Sequence, residues 1–134
     1  MTNLREVEGI GEQYAQKLAD AGIKTTEALL KKGADPQGRK AIADATGLSL
    51  KRILGWVNRV DLFRIKGVGE EYADLLEVAG VDTVPELAQR NPGNLYQKMV
   101  EVNEEKKLVR QLPTEAKVKD WVAQAKELPR KITY

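Results

Sequence analysis

Histidine and cysteine are both absent from this 134-residue sequence. Without cysteine the chain can form neither a disulfide nor a thiolate metal site. Without histidine it lacks the commonest general base, the commonest metal ligand and the imidazole on which nucleophilic triads depend. We therefore expect a protein that is not an enzyme, with no catalytic residue, no metal site, no cofactor and no small-molecule substrate.

Long apolar runs and aromatic side chains are also scarce. No run is long enough to span a bilayer, and residues 1–7 are too polar for a secretory signal, so we expect a cytoplasmic protein without a membrane partner. Aromatic residues make up 5% of the chain, hydrophobic residues 42% and charged residues 31%. This composition is typical of a folded globular protein rather than a disordered one.

The most informative feature that is present is an internal repeat. Residues 7–28 and 65–86 align without a gap, and Gly67 corresponds to Gly9. Each copy starts with a Gly-apolar-Gly turn and continues as an amphipathic helix pattern. A fixed period indicates one supersecondary unit used twice. Because a unit of about 60 residues is only marginally stable alone, we expect the two units to pack together or to share a helix.

Helical periodicity runs through the whole chain, and no segment alternates as a strand would. The predicted helices, bounded by capping residues and glycines, cover residues 11–21, 25–33, 36–46, 50–60, 62–65, 69–79, a segment that begins with a capping box at 83–86, 91 or 94 to 109, and 115–128. Residues 129–134 are expected to form a loose C-terminal tail. The sequence thus predicts an all-α fold.

The repeated turn follows a stricter pattern, in which apolar residues at fixed spacing flank the two glycines. Three copies share it, with the turns Gly9-Ile10-Gly11, Gly47-Leu48-Ser49 and Gly67-Val68-Gly69, and a decayed fourth copy contains Leu112, Pro113 and Thr114. We call these the first, second, third and fourth hairpins. The pattern resembles the helix-hairpin-helix motif. That resemblance implies two tandem pseudo-repeated units, each a small SAM-like helical bundle, over residues 1–60 and 61–128.

The whole chain also resembles a bacterial family, domain of unknown function 4332, which is related to helix-hairpin-helix proteins. The segments that carry this resemblance are Trp56-Val57-Asn58, Asp61-Leu62, Arg64 to Tyr72 and Glu86 to Pro92. The resemblance implies no activity.

Positive charge is concentrated in the middle of the chain. Residues 31–66 contain nine basic and three acidic side chains, a balance of +6, whereas the segments on either side are each at −2. Such a concentration is typical of a phosphate-backbone ligand, although charge runs are more often only solvated surface. The candidate nucleic-acid-binding residues are Gly47, Leu48, Ser49, Lys51, Arg52, Arg39, Lys40 and Lys66. Ser49 also has a purely structural interpretation as a helix N-cap.

The first and third hairpins favour a structural role, because Glu12 follows one and Glu70 and Glu71 follow the other. Carboxylates at a helix N-terminus stabilise the helix but repel an incoming phosphate. Two functions remain open. One is sequence-independent nucleic-acid binding through the hairpins and the basic centre, and the other is a protein-interaction or scaffold module without nucleic acid.

Overall fold

The computed structural model describes residues 3–7 and 9–134, and within them the chain is all-helical. Eight α-helices form in these residues: α1 Gly11–Asp20, α2 Thr26–Lys32, α3 Pro36–Thr46, α4 Leu50–Leu62, α5 Glu70–Val78, α6 Val84–Ala88, α7 Pro92–Lys106 and α8 Glu115–Glu127. A short 3-10 turn, Leu4–Glu6, precedes them. The described residues contain one isolated β-bridge, between Asn3 and Thr25, and no strand.

Local side-chain caps set where many of the helices begin. The side chains of Thr25, Asp35, Asn91 and Thr114 each accept a hydrogen bond from the backbone N–H three residues later. This is the usual geometry of an N-cap, and it satisfies one of the donors that the first helical turn leaves without an intrahelical acceptor. Pro36 and Pro92 then occupy the first helical position, where the missing N–H costs nothing.

Glycines in the left-handed region end α1 and α5 in the same way. Gly22 has φ +87° and Gly80 has φ +99°. Beyond each glycine the chain reverses, and the next N–H bonds back into the helix: Ile23 to the Leu18 carbonyl at 2.8 Å and Val81 to the Leu76 carbonyl at 2.9 Å. These are Schellman-type ends, in which the residues flanking the turn are also buried together.

The chain divides into two compact units. Unit 1 comprises Met1–Asp61 together with Arg130–Tyr134, and unit 2 comprises Leu62–Pro129. In unit 1, α1 packs on the 3-10 turn and on α3, and α2 packs on α3. In unit 2, α5 packs on α7, while α6 and α7 both pack on α8. Trp121 and the leucines of α5, α6 and α7 lie in the centre of the unit 2 core.

Three local expectations are wrong. Residues 62–65 form no separate helix, because α4 continues to Leu62 and a turn follows. Helix α7 ends at Lys106 rather than at Val109, since Lys107 adopts a left-handed conformation with φ +51° and the Asn103 side chain binds both backbone groups of Val109. The C-terminal tail is not loose. Ile132 is buried, and the Thr133 N–H donates to the Ala34 carbonyl at 2.7 Å.

Candidate nucleic-acid interface

The second hairpin is a tight turn between α3 and α4. Gly47 has φ +76°, and its N–H donates to the Ala43 carbonyl at 2.8 Å, which closes the last turn of α3. The Thr46 hydroxyl donates to the Ile42 carbonyl at 2.7 Å and accepts from the Leu48 N–H at 3.2 Å. Because the left-handed backbone at Gly47 disfavours a side chain, glycine is required there by the turn itself.

Ser49 caps helix α4. Its hydroxyl accepts from the Arg52 N–H at 3.1 Å, and its carbonyl accepts from the Ile53 N–H at 3.1 Å. The structural interpretation of Ser49 is therefore correct. The N–H groups of Leu50 and Lys51 precede the first intrahelical bond and have no acceptor inside the helix, as in any first turn.

The first turn of α4 differs in charge from the turns that follow the first and third hairpins. It contains no acidic residue, and the side chains of Lys51 and Arg52 are exposed. In contrast, α1 begins with Glu12, and α5 begins with Glu70 and Glu71. The positive end of the helix dipole is thus reinforced at α4 and neutralised at α1 and α5.

Arg52 is held in place by an aromatic ring from another helix. Its guanidinium carbon lies 4.7 Å from the centroid of the Tyr14 ring. Tyr14 in turn packs against Trp56, with ring centroids 5.3 Å apart and an angle of 54° between the rings. This arrangement restricts the exposed guanidinium to one side of α4 while leaving its N–H donors accessible.

Arg39 does not belong to this site. It is buried, with 6% of its surface exposed, and its guanidinium donates to the Gly33 carbonyl at 2.9 Å and to the Thr133 carbonyl at 2.7 Å. A side chain that is committed to backbone acceptors in the interior cannot reach a phosphate. The expectation that Arg39 contacts nucleic acid is therefore wrong.

The remaining two basic candidates occupy separate units. Lys40 is exposed on α3, the helix that leads into the second hairpin. Lys66 belongs to unit 2, where the Gln124 side chain binds both its backbone N–H at 2.8 Å and its carbonyl at 3.1 Å. The candidate site within unit 1 consists of Gly47, Leu48, Ser49, Lys51, Arg52 and Lys40.

The first and third hairpins have similar first glycines and similar buried apolar residues. Gly9 has φ +88° and Gly67 has φ +97°, and the apolar residues between the glycines, Ile10 and Val68, are buried. A Cβ added to Gly9 would lie 3.5 Å from the indole nitrogen of Trp56, and one added to Gly67 would lie 3.0 Å from that of Trp121. Both first glycines therefore allow the backbone to approach a buried tryptophan closely.

The second glycines of these hairpins differ in conformation. Gly11 has φ +63° and is the first residue of α1. Gly69 has φ −102°, an ordinary extended conformation, and stands as the N-cap of α5. A left-handed backbone therefore requires glycine at Gly11 but not at Gly69.

Tyr14 also belongs to the site, through its contact with Arg52, and the sequence pattern does not reveal this. Its position in the helical pattern indicates a core residue, and nothing in the sequence relates it to Arg52, which lies 38 positions away. The structure leaves Tyr14 half-buried, with its ring between the tryptophan and the guanidinium.

In residues 3–7 and 9–134 no group of three or more acidic side chains is arranged to hold a metal ion. The described helices include none with the length and apolar character that crossing a bilayer requires.

The family described as a domain of unknown function (DUF4332) matches residues 8–128, so the chain belongs to this family. No curated protein and no solved structure matches the sequence.

Proposed function

We propose that this member of the family is a non-enzymatic module that binds the phosphate backbone of nucleic acids, without sequence preference, through the second hairpin. Ser49 orients the first turn of α4, whose free N–H groups face a phosphate oxygen. Lys51 and Arg52 supply positive charge beside it. Lys40, on the preceding helix, adds to the positive potential that attracts the ligand.

The main support for this proposal is the positive charge of the first turn of α4, together with the restrained position of the Arg52 side chain. Two exposed cations occupy it, it contains no acidic residue, and the Tyr14 ring restrains Arg52. Unit 1 as a whole has twelve basic and eight acidic residues, a balance of +4, whereas unit 2 has ten basic and twelve acidic, a balance of −2. The basic unit is thus the one that contains the candidate hairpin.

We further propose that each unit is a pair of helix-hairpin-helix motifs. Corresponding hydrogen bonds support this. In unit 1 the Val7 N–H donates to the Leu4 carbonyl and the Ile10 N–H to the Val7 carbonyl. In unit 2 the Ile65 N–H donates to the Leu62 carbonyl and the Val68 N–H to the Ile65 carbonyl. All four of these backbone hydrogen bonds are 3.1 Å long. The capping hydrogen bonds of the second and fourth hairpins also agree. The Arg52 N–H donates to the Ser49 hydroxyl and the Lys117 N–H to the Thr114 hydroxyl, both at 3.1 Å.

The aromatic pairs support the same correspondence. Tyr14 and Trp56 lie 5.3 Å apart at 54°, and Tyr72 and Trp121 lie 5.3 Å apart at 50°. Because both tryptophans are buried, neither offers a face on which a base could stack. Binding that relies on phosphate contacts alone is independent of sequence and sensitive to salt.

The test is a titration of the protein into fluorescently labelled duplex DNA, single-stranded DNA and single-stranded RNA of random sequence, by anisotropy, over a series of salt concentrations. We expect measurable affinity at low salt that decreases linearly on a plot of log affinity against log salt. An absence of binding to DNA or RNA at low salt would exclude the proposal.

The alternative is a protein-interaction module, and the acidic character of unit 2 is the observation that favours it. Glu71 is exposed in the first turn of α5, and the fourth hairpin is followed by exposed Glu115 in the first turn of α8. A basic protein partner would suit such a surface. In that case the titration with DNA would give no signal.

A further inference from the structure

The C-terminal segment Arg130–Tyr134, which we call the strap, belongs to unit 1 although the whole of unit 2 separates it from the rest of that unit in sequence. Its backbone pairs with the loop that joins α2 and α3. The Thr133 N–H donates to the Ala34 carbonyl at 2.7 Å, and the neighbouring Ile132 side chain is 3% exposed. The strap therefore binds through both backbone and side-chain contacts.

Arg39 is the principal residue of unit 1 that receives the strap. One guanidinium nitrogen donates to the Gly33 carbonyl at 2.9 Å and the other to the Thr133 carbonyl at 2.7 Å. The Tyr134 ring lies over the same guanidinium, 5.8 Å from its carbon. A buried cation is costly unless it is hydrogen-bonded, so Arg39 requires an acceptor at the position of the Thr133 carbonyl.

A second contact fixes the end of the strap. The Tyr134 hydroxyl lies 3.3 Å from the Asn58 side-chain oxygen, on α4, and donates to it. Unit 1 thus contacts a different group in each of three consecutive residues. These groups are the apolar side chain of residue 132, the backbone N–H and carbonyl of residue 133, and the aromatic ring and hydroxyl of residue 134. Such a combination of main-chain hydrogen bonds and side-chain pockets is how extended peptides are recognised.

The first and last residues of unit 2 lie close to each other. The Arg64 guanidinium donates to the Pro129 carbonyl at 2.8 Å, which joins the two ends of unit 2. Adjacent ends are what allow one domain to be inserted into another without distorting either. The strap follows directly after Pro129.

We propose that unit 1 contains a peptide-binding site, formed by Gly33, Ala34, Arg39 and Asn58, whose ligand is an extended segment with an apolar residue two positions before an aromatic one. In this chain the strap fills the site in cis. The covalent connection makes the strap an intramolecular competitor, which disfavours binding of a free peptide of equal intrinsic affinity.

The experiment weakens the strap in the full-length chain and offers its sequence in trans. Thr133→Pro removes the N–H that bonds to Ala34, and Thr133→Ala keeps it and serves as the matched control. A peptide with the sequence of residues 130–134, capped at both ends, is titrated into each ¹⁵N-labelled protein. The indole signals of Trp56 in unit 1 and Trp121 in unit 2 report on the two units separately.

We expect the peptide to shift the signals of unit 1 in the Thr133→Pro protein at a concentration at least about tenfold lower than in wild type or Thr133→Ala, because the cis competitor is weakened. The Trp121 signal should not move. If Thr133→Pro unfolds unit 1, the peptide should restore the native Trp56 signal. A second peptide that carries proline at the position of Thr133 should do neither.

A further pair of variants tests the receiving side. Arg39→Ala should abolish the response to the peptide in the Thr133→Pro background, whereas Lys40→Ala, an exposed neighbour on the same helix, should leave it intact. The proposal is overturned if the peptide leaves the signals of unit 1 unchanged at millimolar concentration. An equal effect of the two peptides would overturn it as well.

Discussion

The Arg52 guanidinium of α4 lies over the Tyr14 ring of α1, 4.7 Å from its centroid. These two residues connect helices that are far apart in sequence, and the same ring packs against Trp56, one turn further along α4. The pair thus couples the packing of unit 1 to the position of an exposed cation. In the proposed function, this coupling presents Arg52 to a phosphate with little loss of side-chain entropy on binding.

Removing the guanidinium should measurably destabilise unit 1. We expect Arg52→Ala to lower the free energy of unfolding by about 0.5–1 kcal/mol, which is typical of a cation–π pair at an exposed site. Lys51→Ala, on the same turn, is the control, since no ring contact is lost there. Urea unfolding followed by circular dichroism compares the two. Equal stabilities for the two variants would show that the contact with Tyr14 contributes nothing.

Gly67 is the position at which a side chain should be least tolerated in unit 2. Its φ of +97° is strained for any residue with a Cβ, and that Cβ would lie 3.0 Å from the Trp121 indole nitrogen. We expect Gly67→Val to cost about 1–3 kcal/mol in the free energy of unfolding.

The control for this change is Gly55→Ala, in the middle of α4. Gly55 is exposed, and a Cβ added to it would have no atom within 4 Å. Because alanine has a higher helix propensity than glycine, we expect the variant protein to be more stable than wild type by about 0.5–1 kcal/mol. Thermal or urea unfolding of both variants checks the pair. A Gly67→Val protein as stable as wild type would contradict the tight approach of the hairpin to Trp121.

Gly38 should be equally intolerant for a different reason. Its backbone is not left-handed, but an added Cβ would lie 1.9 Å from the Lys32 carbonyl oxygen at the end of α2. Since that atom belongs to the backbone, α2 and α3 must move apart, and we expect Gly38→Ala to cost about 1–3 kcal/mol. Urea unfolding measures it. A gain in stability, as the helix propensity of alanine alone would predict, would show that the two helices are not in such close contact.

Local signals made the helices predictable from the sequence. Thr25, Asp35, Asn91 and Thr114 are capping residues whose hydrogen bonds span three positions, so the information lies within one turn. The end of α7 was not predictable in this way. Lysine rarely adopts the left-handed conformation that Lys107 has, and the sequence gives no sign of it.

Contacts between distant residues account for what the sequence analysis missed at the site. Arg39 lies in the most basic stretch of the chain, and only its bond to Thr133, 94 positions away, reveals that it is an interior residue. The same holds for Tyr14 and Arg52. The second hairpin itself could be located, because the glycine-apolar-serine turn and its two cations are contiguous.

The most direct test of the central claim is the salt dependence of DNA affinity for a neutralised second hairpin. Lys51→Gln with Arg52→Gln removes two positive charges from the first turn of α4. The control is Lys117→Gln with Lys119→Gln, which also removes two positive charges, from the first turns of α8. There Glu115 precedes the two lysines. We predict that the slope of log affinity against log salt decreases by about two units for the first pair, one for each phosphate contact, and is unchanged for the second. Equal slopes for the two double variants, or no affinity of the wild-type protein for DNA at low salt, would contradict the account.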